Sequence, residues 1–481
     1  MQRRTFLRGT AVAAIAAAPL TTSLSGSAAA ADLPVASLTA LQNAINSAAP
    51  GDRIILADGT YTVPSGSSIK ISGKNGTGTA PITIVSQTRG GAVLRGQRSF
   101  VLSNSSNITI SGFSFRQSTT LEIPENCPSI RLTRNDFQFA DTGDPYWLVV
   151  RGNGAKIDRN HFHHKTTTGI FLIVDGPSAP GPDGQPRMAQ GVQIVKNHFS
   201  DHAFTGTNGG EPIRLGVSGR ALADASATVE YNLFERCDGD PEAISVKSSG
   251  NTIRYNTVRD SRGGIVLRHG NRNRVEGNYL LDGKDGIRLY GNDHTIVNNY
   301  LSGLSGDALV IGSGSTRDHH PGETEPERRG NDACDRVVVA HNTLLNNNKS
   351  LCGESRTHAP QDVIVADNLL VSDTETLVAM GATTRFTWRT NMLWGAAPNG
   401  TIPSGGFLRA DPRLTPGADG VQRLSATSPA IGAATLSPSV VTDDIDGDQR
   451  GSTRDIGADE YTTTPALRHP LTPADVGPNA P

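Results

Sequence analysis

Cysteine is scarce: four residues in 481, at positions 127, 237, 334 and 352, with no spacing that suits a zinc site or a catalytic thiol motif. Cys334 and Cys352 flank one segment and are the pair that a disulfide could close; buried free thiols account as well for Cys127 and Cys237. An excess of positive charge is also missing. Lys and Arg total 44 against 46 Asp and Glu, a net charge of −2, which argues against a general nucleic-acid-binding role. Beyond the N-terminus no apolar run reaches the roughly 20 residues of a membrane-spanning helix. A glycine-rich nucleotide loop, a zinc signature and a serine nucleophile elbow are all lacking. What the chain does have is 36% apolar residues, enough for a large core, together with 53 Gly and 28 Pro that imply many turns.

The first residues read as an address rather than as fold. Gln2-Arg3-Arg4-Thr5-Phe6-Leu7-Arg8 precedes an Ala-rich apolar stretch from Thr10 to Leu20, and small residues follow through Ala28-Ala29-Ala30-Ala31. This is the pattern of a bacterial twin-arginine export signal over residues 1–31. Secretion of the mature protein is the expectation. Removal of the signal takes away three Arg and no acids, leaving a net charge of −5.

One phrase recurs: Arg134-Asn135-Asp136-Phe137, Arg159-Asn160-His161-Phe162, Lys196-Asn197-His198-Phe199 and Tyr231-Asn232-Leu233-Phe234. It continues through Asn256, Asn278, Asn299, Asn342 and Asn368, so that successive Asn positions differ by 25, 37, 35, 24, 22, 21, 43 and 26. The base period is 21–26, and three gaps carry insertions. Short β-branched alternations such as Thr252-Ile253-Arg254 precede the Asn. Strands this short, repeated at this period, describe a solenoid of β-rungs. The fixed Leu pattern of a leucine-rich repeat is absent, so an all-β parallel β-helix is expected, with the Asn side chains stacked as an internal ladder. Leu38, Leu41 and Ile45 stand at helical spacing behind Ser37, which predicts an N-terminal capping helix closed by Pro50-Gly51. The β-helix is expected over residues 32–375; residues 376–481 form C-terminal rungs, a cap and an extended tail from Pro465.

A second set of strands aligns within the rungs: Pro212-Ile213-Arg214-Leu215-Gly216, Ala243-Ile244-Ser245-Val246-Lys247, Gly264-Ile265-Val266-Leu267-Arg268 and Gly286-Ile287-Arg288-Leu289-Tyr290. With each Ile inward, alternation turns Arg214, Lys247, Arg268, Arg288 and Tyr290 outward. Lys247, Arg268 and Tyr290 are expected to stack on successive rungs, with Arg214 and Arg288 beside them. Acids lie just before these strands: Glu211 after Asn208-Gly209-Gly210, and Asp238, Asp240 and Glu242 before Ile244. Carboxylates this close repel one another unless a hard cation or an Arg joins them, and Ca²⁺ is the economical partner.

These segments resemble polysaccharide lyase family 6, which contains alginate lyases and chondroitinase B. The likeness rests on Asn208-Gly-Gly-Glu-Pro-Ile-Arg, on Asp240-Pro-Glu-Ala-Ile-Ser-Val-Lys247, on Arg268 placed 21 residues after Lys247, and on the closing Pro470-Leu-Thr-Pro-Ala-Asp-Val-Gly-Pro. The resemblance implies a right-handed parallel β-helix and Ca²⁺-assisted β-elimination, with Lys247 as base and Arg268 as acid. It also implies Asn208, Asp240 and Glu242 as calcium ligands, Asp240 standing where the family more often has Glu. Glu211 is added to that set by the rung alignment alone. Arg214, Arg288, Tyr290 and His269 are candidate substrate-binding residues, Tyr290 being an alternative proton carrier and His269 a residue that could orient Arg268.

Such a protein would take an anionic polysaccharide, alginate first and dermatan sulfate second if Arg262, Arg272 and Arg274 supply further cations. It would need neither nucleic acid nor membrane and is expected to be a monomer. Two other classes fit the same architecture: a glycoside hydrolase using Asp238, Asp240 or Glu242, and a non-catalytic carbohydrate-binding protein. His163-His164-Lys165 reads either as a substrate subsite or as a solvated turn. Asp444-Ile-Asp446-Gly-Asp448 reads as a structural turn, its Gly standing at the fourth position of the loop.

Overall fold

The computed structural model describes residues 30–143, 146–436 and 441–481. The export signal therefore lies almost wholly outside the described residues. Among those described, two sheets of 14 strands and one of 10 run along the molecule, each strand paired in parallel with its counterpart one rung away. Chain order cycles through the sheets, as when Thr252–Arg254, Thr257–Arg259 and Gly264–His269 fall in the first, second and third sheet. This is a parallel β-helix, right-handed as parallel crossovers are. Stacked strands continue past residue 375, to Phe407–Arg409 in the second sheet.

The Asn ladder sits at the turn between the first two sheets. Asn256 shows the pattern: its Nδ2 donates to Asn278 Oδ1 at 3.0 Å, and its Oδ1 accepts from the Asn232 backbone N–H at 3.0 Å. The ladder runs from Asn135 to Asn368 and takes in a tenth member, Asn391. The residue before each Asn is left-handed, for example Arg159 at φ 54° and Tyr255 at φ 56°. Such a conformation costs a non-Gly residue roughly 1–2 kcal/mol, and the buried hydrogen bonds of the ladder offset it. Inside the coil the Phe of the repeated phrase stacks too: Phe137 and Phe162 lie 4.4 Å apart at an interplanar angle of 3°.

The helix Leu38–Ser47 closes the N-terminal end as expected. Ser37 Oγ accepts from Ala40 N–H at 3.1 Å, while Leu41 and Ile45 are buried against the first rungs. At the other end an antiparallel hairpin, Leu414–Pro416 with Gln422–Leu424, leaves the coil. The chain then returns along the second sheet: Arg468 lies 4.1 Å over the Tyr255 ring, Leu471 N–H donates to Thr257 Oγ1, and Arg134 Nη1 donates to Pro478 O. The tail has no regular secondary structure but is docked, with Leu471 and Val476 buried. Asp446 of the aspartate-rich turn accepts from Arg423 and from Tyr279 Oη, a structural role.

All four cysteines are free and buried. The conceivable Cys334–Cys352 bridge does not form. Cys334 points into the apolar core, whereas Cys352 follows Leu351 in its strand and lies on the opposite face, in register with Val310.

Candidate active site

The third sheet carries the aligned strands, and Ile213, Ile244, Ile265 and Ile287 form one fully buried column. The neighbouring column is Arg214, Ser245, Val266 and Arg288 in register. Arg214 and Arg288 are thus three rungs apart, about 14 Å at the spacing of paired strands. The expected stack of Lys247 on Arg268 is modified. Pairing between Glu242–Lys247 and Gly264–His269 slips twice, so that Lys247 faces His269 and Arg268 is an extra residue on its strand. A bulge of this kind bends the strand and re-aims side chains. Gly270 follows at φ 95°, against the carbonyl of Ser248, where a side chain would collide.

The bulge gives Arg268 its own environment. Its guanidinium bonds the Asn331 side-chain oxygen and lies 5.7 Å from the centre of the Tyr290 ring. Tyr290 is itself only 2% exposed, and its hydroxyl donates to the Glu354 carboxylate at 2.8 Å. Burial and the Glu354 charge push the phenol up to about 12. The structure therefore makes Tyr290 a support for Arg268. His269 does not touch the Arg268 guanidinium; its Nε2 lies 3.0 Å from Ser218 Oγ. Burial first, then the charges of Arg268 and Lys247, hold its imidazole well below the usual range, so it is neutral. Arg214 packs over Tyr146 at 5.2 Å and donates to its hydroxyl.

Lys247 opens onto a groove of about 820 Å³ that Arg214 also lines. The rest of the wall comes from loops, represented by Gln185, Ser218, Glu323 and Arg329. Those loops are the three insertions that lengthen the Asn spacing to 37, 35 and 43. Arg220, Arg328 and Arg329 are matched by Asp175, Glu323 and Glu325 at 2.9, 3.1 and 2.7 Å. Arg272 and Arg274 pair with Asp224 and Glu276 and do not line the groove.

The acidic residues gather at the corner leading into the third sheet. Gly210 and Gly239 pack backbone to backbone, with no room for a side chain on either, and this brings residues 208–211 against 238–242. Glu211 is 1% exposed; one carboxylate oxygen lies 3.6 Å from Lys247 Nζ and the other is buried without a partner. Asp240 accepts from Glu242 N–H at 3.1 Å, and Glu242 accepts from Ser245 Oγ. Burial, and then the charges of Glu211 and Glu242, push Asp240 up to about 7. Asn208 is exposed beside them. The three carboxylates are not drawn within 4.8 Å of one another. An orphaned buried oxygen and mutually repelling acids nevertheless fit a hard, oxygen-seeking cation.

Asn331, Glu354, Tyr146 and Ser218 escaped the sequence reading because none belongs to a repeat. The long gaps marked the regions of Ser218 and Asn331, whereas Tyr146 and Glu354 fall in gaps of ordinary length, 25 and 26 residues, that carry no mark.

The fold is that of the parallel β-helix proteins, here with a Lys-bearing groove flanked by Arg residues and an acidic corner. Residues 35–394 match the chondroitinase B family model. The chain belongs to that family, polysaccharide lyase family 6. Among solved structures it is similar to the family 6 alginate lyase AlyGC, with 27% identity and a TM-score of 0.71 over 91% of this chain and 59% of that one. It is also similar to a mannuronic acid-specific family 6 lyase from human gut microbiota, with 25% identity and a TM-score of 0.66 over 76% of this chain and 86% of that one. The family 6 lyase Pedsa3628 from Pseudopedobacter saltans shares the fold at 23% identity, with a TM-score of 0.62 over 93% of this chain and 99% of that one. The chain thus spans 59% of the length of AlyGC. No curated protein sequence matches it.

Proposed function

We propose that the protein is an exported polysaccharide lyase that cleaves alginate by β-elimination. The observation that carries this reading is Lys247, open to the groove on one rung, with Arg268 held by Asn331 on the next. In the reaction the Lys247 amine removes H5 of a uronate residue, the electron pair forms the C4–C5 double bond, and the C4–O4 bond breaks. Arg268 stabilises the developing negative charge and, as the acid of the pair, passes a proton to the departing O4, to be replaced from solvent. Tyr290 is unsuited to deliver the proton because its hydroxyl is committed to Glu354. Asn208, Glu211, Asp240 and Glu242 would hold Ca²⁺, which when bound neutralises the uronate carboxylate. Arg214 and Arg288 contact flanking carboxylates of the polymer.

Alginate is favoured over dermatan sulfate because the groove cations Arg220, Arg328 and Arg329 are each already matched by an acid. Sulfate groups would need unmatched ones. The twin-arginine pattern over residues 1–31 supports export.

The test is a panel of polymannuronate, polyguluronate, mixed alginate and dermatan sulfate, followed by the ultraviolet absorbance of the unsaturated product. Wild type should produce it from an alginate, and Lys247→Ala should lose turnover by orders of magnitude while still binding polymer. Lys247→Arg should fail too, because a guanidinium does not shed its proton at working pH. New reducing ends without absorbance would indicate a hydrolase. Cleavage of dermatan sulfate alone would overturn the choice of substrate.

A further inference from the structure

The second sheet carries a group of side chains that the lyase reading does not use. Asp136 and His161 are direct partners on adjacent rungs, and His163 lies two residues along the strand from His161, on the same face. Two rungs and one strand therefore bring a carboxylate and two imidazoles to one corner. One ligand atom from each lies within 4.8 Å of the other two, the single such group of acid, His or Cys residues among the described residues.

The surroundings orient these groups. His163 Nε2 lies 2.7 Å from Asp136 Oδ1, while the Arg116 guanidinium takes the other carboxylate oxygen. His161 Nε2 lies 3.0 Å from Ser200 Oγ, and its ring is stacked between His163 at 4.2 Å and His198 at 4.4 Å. His198 is fixed in turn by Glu235 at 2.9 Å. His164 takes a left-handed backbone, φ 60°, which sets its Nδ1 2.6 Å from His163 Nδ1. Ligand side chains with outer partners that hold the rings and the carboxylate in place are the usual arrangement around a bound transition metal. None of these residues lines the groove that contains Lys247.

We propose that Asp136, His161 and His163 form a second metal site, selective for a borderline divalent ion such as Zn²⁺. Two imidazoles with one carboxylate suit Zn²⁺, Ni²⁺ or Cu²⁺, whereas the all-oxygen set at the acidic corner suits Ca²⁺. A metal there ties the rung at Asp136 to the rung at His161. It lies close to the docked C-terminal segment, since the Cβ of His198 is 3.5 Å from the point where a side chain on Gly477 would begin. The role is cross-linking of the coil, independent of turnover.

The experiment uses the tag-free full chain, stripped with chelator and re-equilibrated in excess Ca²⁺, then titrated with ZnCl2 by calorimetry. One Zn²⁺ per chain should bind while Ca²⁺ is saturating, and the melting temperature should rise. His163→Gln and Asp136→Asn should each weaken Zn²⁺ by about tenfold or more, whereas Glu242→Gln at the acidic corner should leave it unchanged. Metal-free melting curves show whether each variant folds. Co²⁺ supplies a second readout, its visible bands changing on His163→Gln. Absence of saturable Zn²⁺ binding in wild type would overturn the proposal, as would wild-type affinity in folded His163→Gln and Asp136→Asn.

Discussion

Replacing Asn256 by alanine tests the physical argument for the whole coil. The side chain makes five hydrogen bonds, four of them buried: Nδ2 donates to Asn278 Oδ1, Val229 O and, part-buried, Arg254 O, and Oδ1 accepts from the Asn232 backbone N–H and Nδ2. Asn232 Nδ2 keeps two other acceptors, and Asn278 Oδ1 keeps the Asn256 N–H. The Asn232 backbone N–H, however, is left buried without a partner. One orphaned donor costs about 1–3 kcal/mol, and the bonds lost without replacement add roughly 1–2 more, so Asn256→Ala should cost about 2–5 kcal/mol. The left-handed Tyr255 keeps its strain and loses part of what offset it. Equilibrium urea unfolding measures the loss, and hydrogen exchange at the Asn232 amide should accelerate specifically. Asn348, which is exposed, serves as the control; its alanine variant should cost less than about 0.5 kcal/mol. A loss below about 1 kcal/mol for Asn256→Ala, with Asn232 still protected, would refute the view that the ladder holds the rungs together.

Asn331→Ala should lower kcat about tenfold with KM little changed, because it frees the Arg268 guanidinium without removing it; an equal rise in KM would indicate a binding role instead. The Asp240 carboxyl, raised from 3.8 to about 7, keeps its proton in the folded chain across that window while the unfolded chain has lost it. Metal-free stability should therefore fall as pH rises from about 4 to 7, by roughly 4 kcal/mol at most, and Asp240→Asn should flatten the slope. The same proton must leave before a cation binds, so Ca²⁺ affinity measured by titration should weaken below about pH 7 and level off above it. A thiol reagent should find no reactive cysteine in the native chain and four after denaturation, since all are free and buried; two after denaturation without reductant would restore a disulfide.

The coil itself was legible in the chain because its information is periodic. An Asn every 21–26 residues, with apolar residues at alternate places beside it, leaves few folds that bury the amides and the side chains together. The same periodicity put Arg214 and Arg288 on one column, as the register shows. Local capping was equally visible, in Ser37 ahead of Leu41 and Ile45.

Where the period breaks, the sequence stops being informative. Alternation gives no warning of the bulge that sets Lys247 opposite His269 and sends Arg268 to Asn331, because one extra residue in a strand looks like any other. Nor does it show that Tyr290 is committed to Glu354, 64 residues away. Cys334 and Cys352 looked joinable along the chain, yet in the coil one enters the core and the other leaves it. The walls of the groove come from three aperiodic insertions, and the returning tail lies against rungs more than 200 residues distant from it. Contacts of that range depend on shape and charge meeting across the folded surface, which only the completed coil provides.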